Sequence, residues 1–510
     1  MIDDQREGGL VENIQIDGVS APVDQAQAMS TDGGRRGDSP RTPVLDVTRY
    51  LCAAMLLDGS LARSAIRTIL EDRHRAVATS PGVDLAPVLN YALLGRRRHI
   101  VRDLIIAPIA VGALVAFFSL SLPDLLICLF LVWLVILVEV AGVYHLVIGP
   151  ELGRGTFDPA ISPVRGSSRV LTRLEDIAGR DHGNVTVFGE YKPFVGHGIV
   201  INAWSFVLNI GKAEEGEEVT SFGIGELYDH VGSAISGVGL PHMAVEDRIF
   251  VNGQDLRDHL DSSVGAFLLP DPTGPPRPEV SRKIITLLRD SPHDRARTYL
   301  TISLPGWDGE VVVSVFLRFA LLPDSDLLFI EASYSLLTPL RERYREIDDL
   351  IGTAAPVRLL KLARQSIARV PGALVMALPH VLADLAAPFD RRQRDKASRK
   401  EIRNGTFNYG SKETLRESAA DQRYHRYFQQ LDKEMYVKLV ERRIIDILVD
   451  FLSDHNVDVS DLVERRTAIL NNGIFVTGKG QVSAQSLAAG IGAMAQAVTR
   501  VGQAKGGETT

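Results

Sequence analysis

The chain has 510 residues, 45% hydrophobic and 23% charged, with a formal net charge of −7. That length holds two or three domains with real apolar cores, and the acidic balance argues against a dedicated nucleic-acid binder. The only cysteines are Cys52 and Cys128. Two cysteines supply neither a disulfide framework nor a cysteine metal cluster, and both absences suit a reducing compartment.

Residues 1–43 are polar, rich in Asp, Gln and Gly, and read as a disordered tail. They lack an apolar stretch and carry more acidic than basic side chains, so no cleavable signal peptide is expected. From Val44 the spacing turns helical: Val47, Tyr50, Leu51 and Met55 recur at steps of three and four. "SPGVD" separates these first helices from one that runs on towards an apolar region, and residues 44–102 read as a small cytoplasmic helical domain.

Residues 103–149 predict a transmembrane helical hairpin. Leu104–Leu122 is 19 residues and Leu125–Ile148 is 24, roughly 28 and 36 Å as helices. Each reaches across a hydrocarbon core of about 30 Å, and "SLPD" between them supplies the turn. A buried hairpin of a soluble protein is the alternative. Arg96, Arg97, Arg98 and Arg102 precede the first span, while the turn carries no basic residue. The positive-inside rule therefore puts both termini in the cytoplasm. Glu139 interrupts the second run in the inner third of the bilayer, where an ionisable side chain needs water or a partner. The first span offers no basic residue at matching depth, so Glu139 is expected to snorkel towards the cytoplasm or to contact another subunit.

Residues 150–183 read as a linker. Beyond it, "NVTVFGEYKPFVGHGIVINAWSFVLNI" and the run from Thr298 to Leu336 are rich in β-branched and aromatic residues. The Asp308-Gly309 pair and the Pro323–Asp326 segment mark reversals, so Thr298–Leu336 predicts a three-stranded antiparallel meander. Phe222–Ile235 predicts a helix with Leu227, Val231 and Ile235 on one face. Residues 184–338 are therefore an α+β domain with an antiparallel sheet.

Residues 339–403 are helical again. They either lie flat on the inner leaflet, with "DRRQRDKASRK" as the basic face, or pack on the sheet. Ala373–Val381 is too short to span. In the helical segment 404–466, Leu431, Met435, Val440, Ile444, Ile447, Leu448 and Phe451 form an apolar stripe suited to self-association. The Gly-rich tail 467–510 contains "NNGIFVTGKGQVSAQSLAAG", with the pattern of two short β-arcs.

The chain has no phosphate-binding loop ending in GK[ST], GxSxG elbow, HExxH or CxxC pair. "GHG" and "SGVGL" lack dinucleotide spacing and read as turns. Glu226 with His230, and Asp255 with His259, stand four apart, but with His242 and Asp247 they match no established metal-ligand pattern. No metal site, cofactor or catalytic residue is assigned. "GEYKPFVGHG" concentrates Glu190, Tyr191, Lys192 and His197 around a proline turn. These four are the candidates to line a ligand pocket; the alternative is an ordered loop closing the first strands.

"VTRYLCAA", "HRAVATSPGVDLAPVL", "YKPFVGHG…AWSF" and "FNYGSKETLRE" together resemble an uncharacterised family of actinobacterial membrane proteins. The resemblance implies a bacterial plasma membrane and brings no activity with it. The C-terminal "NNGIFVTGKGQVSAQSLAAG" is loosely similar to amyloid-signalling motifs of bacterial immune proteins. The expected function is a membrane-tethered cytoplasmic scaffold or sensor whose partners are the lipid bilayer and a protein, a second copy included. The alternatives are an enzyme with a pocket in the α+β domain, and a signalling or defence protein using its terminal motif.

Overall fold

The computed structural model describes residues 46–161, 168–180, 183–260, 262–322 and 325–464. The expected N-terminal tail and Gly-rich C-terminal tail lie outside the described residues. The first helices are α1 (Asp46–Leu57), α2 (Gly59–Ala65) and α3 (Leu85–Phe118). Asp58 caps α2 by accepting from the Ser60 and Leu61 amides, and Asp84 caps α3 by accepting from Ala86. A π-helical turn, Ile66–Leu70, extends α2. Every α1 residue from Val47 to Leu56 is buried, so this helix is a central post, covered on all sides. It packs against α3 at Gly95, where a β-carbon would stand 2.2 Å from the Met55 carbonyl oxygen. Only glycine allows the two backbones to come that close.

A turn at Ser119–Ser121 joins α3 to α4 (Leu122–Val143), which packs back along it and runs on through a π-helical turn to α5 (Gly149–Glu151). The interval expected as a linker contains α6 (Ser168–Ala178), whose Leu174 and Ile177 are buried against the helical module. The α+β unit follows: β1 (Val185–Phe188), β2 (Ile199–Asn209), α7 (Ile224–Ser236), β3 (Ala244–Asn252), α8 (Ser262–Leu268), α9 (Arg282–Asp290), β4 (Ala296–Gly306), β5 (Val311–Leu321) and β6 (Leu327–Leu337). They form one six-stranded sheet in the order β1-β3-β4-β5-β6-β2. Only the β1–β3 pair is parallel.

The expected meander is β4–β5–β6, and its first hairpin turns through positive φ at Trp307, Asp308 and Gly309. α7 and α15 (Tyr427–Asp454) cover one face of the sheet, with Leu227, Val231 and Ile235 buried as their spacing implied. β3 is the strand that pattern reading passed over. Its outer half, Ala244–Asp247, looks like loop, whereas Ile249–Val251 are fully enclosed between β1 and β4.

Helices α10 (Glu342–Arg345) and α11 (Ile347–Ile351) lead into α12 (Ala355–Ile367) and the 35-residue α13 (Val370–Asn404); α14 (Leu415–Ser418) follows. Here the sequence expectation needs correction. α13 continues through Pro379 and Pro388. Among the described residues three helices, not two, are therefore long and apolar enough to cross a membrane: Leu85–Phe118, Leu122–Glu151 and Val370–Asn404. α12 packs on α4, and α13 packs on α3 and α4, rather than on the sheet. The stripe assigned to self-association is divided as well. Val440, Ile444, Ile447, Leu448 and Phe451 are buried under the sheet, while Leu431 and Met435 remain exposed.

The α1–α3 contact gives a direct check on this packing. Gly95→Ala forces a methyl group into the Met55 backbone and is expected to cost about 1–3 kcal/mol. Thermal unfolding in detergent micelles should show a lowered midpoint, while Gly142→Ala, where a β-carbon meets nothing within 4 Å, should leave it unchanged.

Candidate functional site

Two polar assemblies stand out, both built where the apolar helices meet the rest of the chain. The first surrounds Glu139. Its carboxylate lies 3.2 Å from Arg98 Nη2, 3.6 Å from His99 Nδ1 and 3.7 Å from Arg102 Nη1. Arg98 also donates to the Glu139 carbonyl oxygen at 3.1 Å. The partners stand on α3 just ahead of Leu104–Leu122, the run expected as the first span, and not within it. Antiparallel pairing brings them to Glu139: Leu120 lies 18 residues after Arg102 and 19 before Glu139, so the two reach the same level when the chain folds back.

The layer extends sideways to α13. Asp103, almost fully buried, accepts from Arg102 at 2.7 Å and faces His380 Nδ1 at 2.9 Å. The other ring nitrogen of His380 is 3.1 Å from Arg63 Nη2, an arrangement that the Nδ1–H tautomer satisfies on both sides. Side chains of α3, α4 and α13 are thus joined in one layer by ion pairs and hydrogen bonds.

The second assembly is a junction of loops. The "GHG" of "YKPFVGHG" is a turn, with φ of +95° at Gly196 and +85° at Gly198. Both glycine amides donate to Glu417 Oε1 at 3.0 Å. The other Glu417 oxygen accepts from the amide and hydroxyl of Thr414, each at 2.9 Å, completing a capping box on α14. Thr414 in turn is 2.9 Å from the Ser80 hydroxyl, and Ala76 donates to the Tyr409 carbonyl at 2.8 Å. The segments "HRAVATSPGVD", "YKPFVGHG" and "FNYGSKETLRE", far apart in the chain, therefore meet at one place. Arg416 is sealed beneath them, donating to the Glu310 and Thr338 carbonyls at 2.7 and 2.6 Å. Burial lowers its pKa to about 10.

Beside this junction opens a cleft of about 1570 Å³ between the π-helical turn, the loop 71–78, α6 and the second half of α13. Ten Lys or Arg and six Asp or Glu line it. Glu71 bridges Arg394 at 3.1 Å and Arg96 at 3.6 Å, and Asp395 pairs with Arg399 at 3.1 Å and His74 at 3.3 Å. Sequence reading missed the cleft. Its signal is a pair of short basic runs, "EDRHR" (71–75) after the π-helical turn and "DRRQR" (390–394) within α13, which only the tertiary fold brings together.

The four loop candidates do not converge. Tyr191 is 97% exposed, Lys192 is exposed, and Glu190 pairs at the surface with Lys412 at 3.4 Å. His197 is buried on the other side of the loop, 2.9 Å from the Ser314 hydroxyl and edge-on to Phe316. None of the four lines the cleft. Of the other histidine–carboxylate pairs, Glu226 stands 3.7 Å from His455 and Asp255 pairs with Arg295.

Fold and sites define an α+β protein joined to apolar helices of membrane-crossing length. The family described as AbeC-like domain matches residues 203–484, more than half of the chain, and the protein belongs to that family. No curated protein and no solved structure shows a significant match.

Removing the Glu139 carboxylate leaves two arginines and a histidine facing one another, so Glu139→Leu is expected to cost about 3 kcal/mol or more. In detergent, Arg98→Met in the Glu139→Leu background should recover part of the lost thermal stability, since Arg102 keeps Asp103 as its partner. A fall no larger than that of Val138→Ala would show that the layer carries little.

Burial lowers the His197 pKa to about 3, against 6.5 in the unfolded chain. Between these values the unfolded state binds the extra proton. His197 therefore supports the fold above pH 6.5, and this support is lost as pH falls towards 3, with a slope approaching about 1.4 kcal/mol per pH unit. Unfolding measured across that window should be less pH-dependent in His197→Asn than in the parent.

Proposed function

We propose that this protein is a membrane-tethered scaffold or sensor, held in a bacterial plasma membrane by the α3–α4 hairpin with both termini in the cytoplasm. The observation that carries the reading is the reversed amphipathicity of the apolar helices. On α13, Val375, Leu378, Leu382, Leu385 and Phe389 recur at alternating steps of three and four, 44–74% exposed. On the other side of that helix His380, Asp384, Arg394 and Asp395 pair with Asp103, Arg96, Glu71 and His74. Apolar-out and polar-in is what lipid requires and water forbids. Leu104, Ile105, Val111, Leu114, Val115, Phe117 and Phe118 on α3, with Leu126, Ile127, Phe130 and Val138 on α4, continue the same apolar surface.

The α12–α13 pair is compatible with this topology. α11, just before α12, reaches the helical module through Asp348, whose carboxylate takes a bidentate pair from Arg49 at 2.6 and 2.9 Å. The second half of α13 returns to the same module through Arg394–Glu71 and Asp395–His74. α12, with 13 residues, is only about 20 Å long. The pair therefore enters the apolar layer from the cytoplasmic side and leaves on that side. A partner surface is offered by the first half of α15, where Phe428, Leu431, Met435 and Leu439 are 41–64% exposed at helical spacing.

Single cysteines at Ser119 and Ser236, in a Cys52→Ala, Cys128→Ala background, test the topology. In intact cells an impermeant thiol reagent should label Ser119→Cys and spare Ser236→Cys until lysis. Labelling of Ser236→Cys before lysis, or release of the protein from membranes by carbonate, would sink the reading.

A further inference from the structure

The cleft beside the loop junction has a charge that the chain as a whole does not. The full chain carries 56 Lys and Arg against 63 Asp and Glu, whereas the cleft wall carries ten against six. The acidic residues there are largely committed: Glu71, Asp72, Asp384 and Asp395 each pair with an arginine. Arg67, Arg73, Arg391 and Arg392 line the same space with no ion pair or side-chain hydrogen bond among the described residues. They come from three separate segments, the π-helical turn, the loop after it and α13. Four forked guanidinium groups facing one cavity from different directions are suited to a multiply charged oxyanion, since each fork matches a pair of phosphate oxygens.

The rest of the lining narrows the ligand. Leu70, Val77, Leu93, Val170 and Pro388 give the cleft an apolar wall. Arg391 follows Leu385 and Phe389, which are 74% and 71% exposed on the stripe assigned to lipid. The arginines therefore stand where that stripe ends. A nucleic acid would be met by stacking platforms, yet His74 is the only ring other than proline in the lining. We propose that this cleft binds the phosphate of an anionic amphiphile, with Arg391 and Arg392 of α13 as its principal contacts and Arg67 and Arg73 closing the opposite side. The phosphate chemistry stands on the cleft alone; its source in a lipid headgroup rests on the membrane reading above.

The test uses the full chain in neutral detergent, with binding read from the thermal midpoint against ligand concentration. The probes are dihexanoylphosphatidylglycerol, dihexanoylphosphatidylcholine, sodium pyrophosphate and a single-stranded oligonucleotide. Saturable stabilisation by the phosphatidylglycerol, with little from the zwitterionic lipid, is expected. It should weaken at least about tenfold in Arg391→Gln/Arg392→Gln, as the loss of a charge-assisted hydrogen bond implies. Arg67→Gln/Arg73→Gln should weaken it too and guards against misfolding of the first variant, while Arg358→Gln/Lys361→Gln on α12 should not. Saturable binding of pyrophosphate alone, with the same dependence on Arg391 and Arg392, keeps the phosphate site and assigns it a soluble ligand. Binding of no phosphate probe, equal binding by the cleft variants, or preference for the oligonucleotide overturns the proposal. Because detergent replaces the bilayer, these outcomes are independent of the cysteine-labelling result.

Discussion

The Glu417 carboxylate holds the described chain together at its most connected point. It accepts four hydrogen bonds, two from the Gly196 and Gly198 amides and two from Thr414. The glycines enter β2, Thr414 begins α14, and Thr414 also meets Ser80 on the way into α3. One charged group thus ties the first strand region, the segment returning from α13 and the approach to α3. A carboxylate can do this because it offers about four acceptor positions, and the local backbone is shaped to fill them. Glycine is required at both positions of the turn, since a β-carbon would stand 2.1 Å from the Thr79 carbonyl at Gly196 and from the Leu336 carbonyl at Gly198.

The ionic layer around Glu139 obeys a related constraint. A charge near lipid must be paired within the protein or reach water, and here one carboxylate is shared among Arg98, His99 and Arg102. Asp103 and His380 extend the pairing to the third apolar helix. Such a layer adds little net stability relative to apolar packing of the same volume. It bears on register instead, because sliding α4 along α3 by one turn would part Glu139 from Arg98 and Arg102.

Function on this account is a matter of surfaces and of one cavity. The sheet is closed on the α7 and α15 side by packed apolar residues, and on the other by the Phe194–Phe250–Tyr299–Phe316 cluster, in which Phe194 and Phe316 stack at 3.8 Å. His197 abuts that cluster as a neutral ring. The loop that supplied the pocket candidates is therefore the lid of a hydrophobic core, with Glu190, Tyr191 and Lys192 at the surface and His197 turned inward.

The sequence by itself determined the local elements. The apolar runs at 104–148, the β4–β6 meander, the buried face of α7 and the turn at "GHG" follow from hydropathy, period and glycine. These are properties of neighbours in the chain. Tertiary structure alone decided which charges meet. Arg102 and Glu139 become partners only once a turn reverses the helix, and Glu71 and Arg394 are 323 residues apart. The length of α13 was hidden for the same reason. His380 and Asp384 interrupt its apolar run on paper, whereas in the fold Asp103 and Arg96 satisfy them, and the helix continues because its polar groups are paired across space.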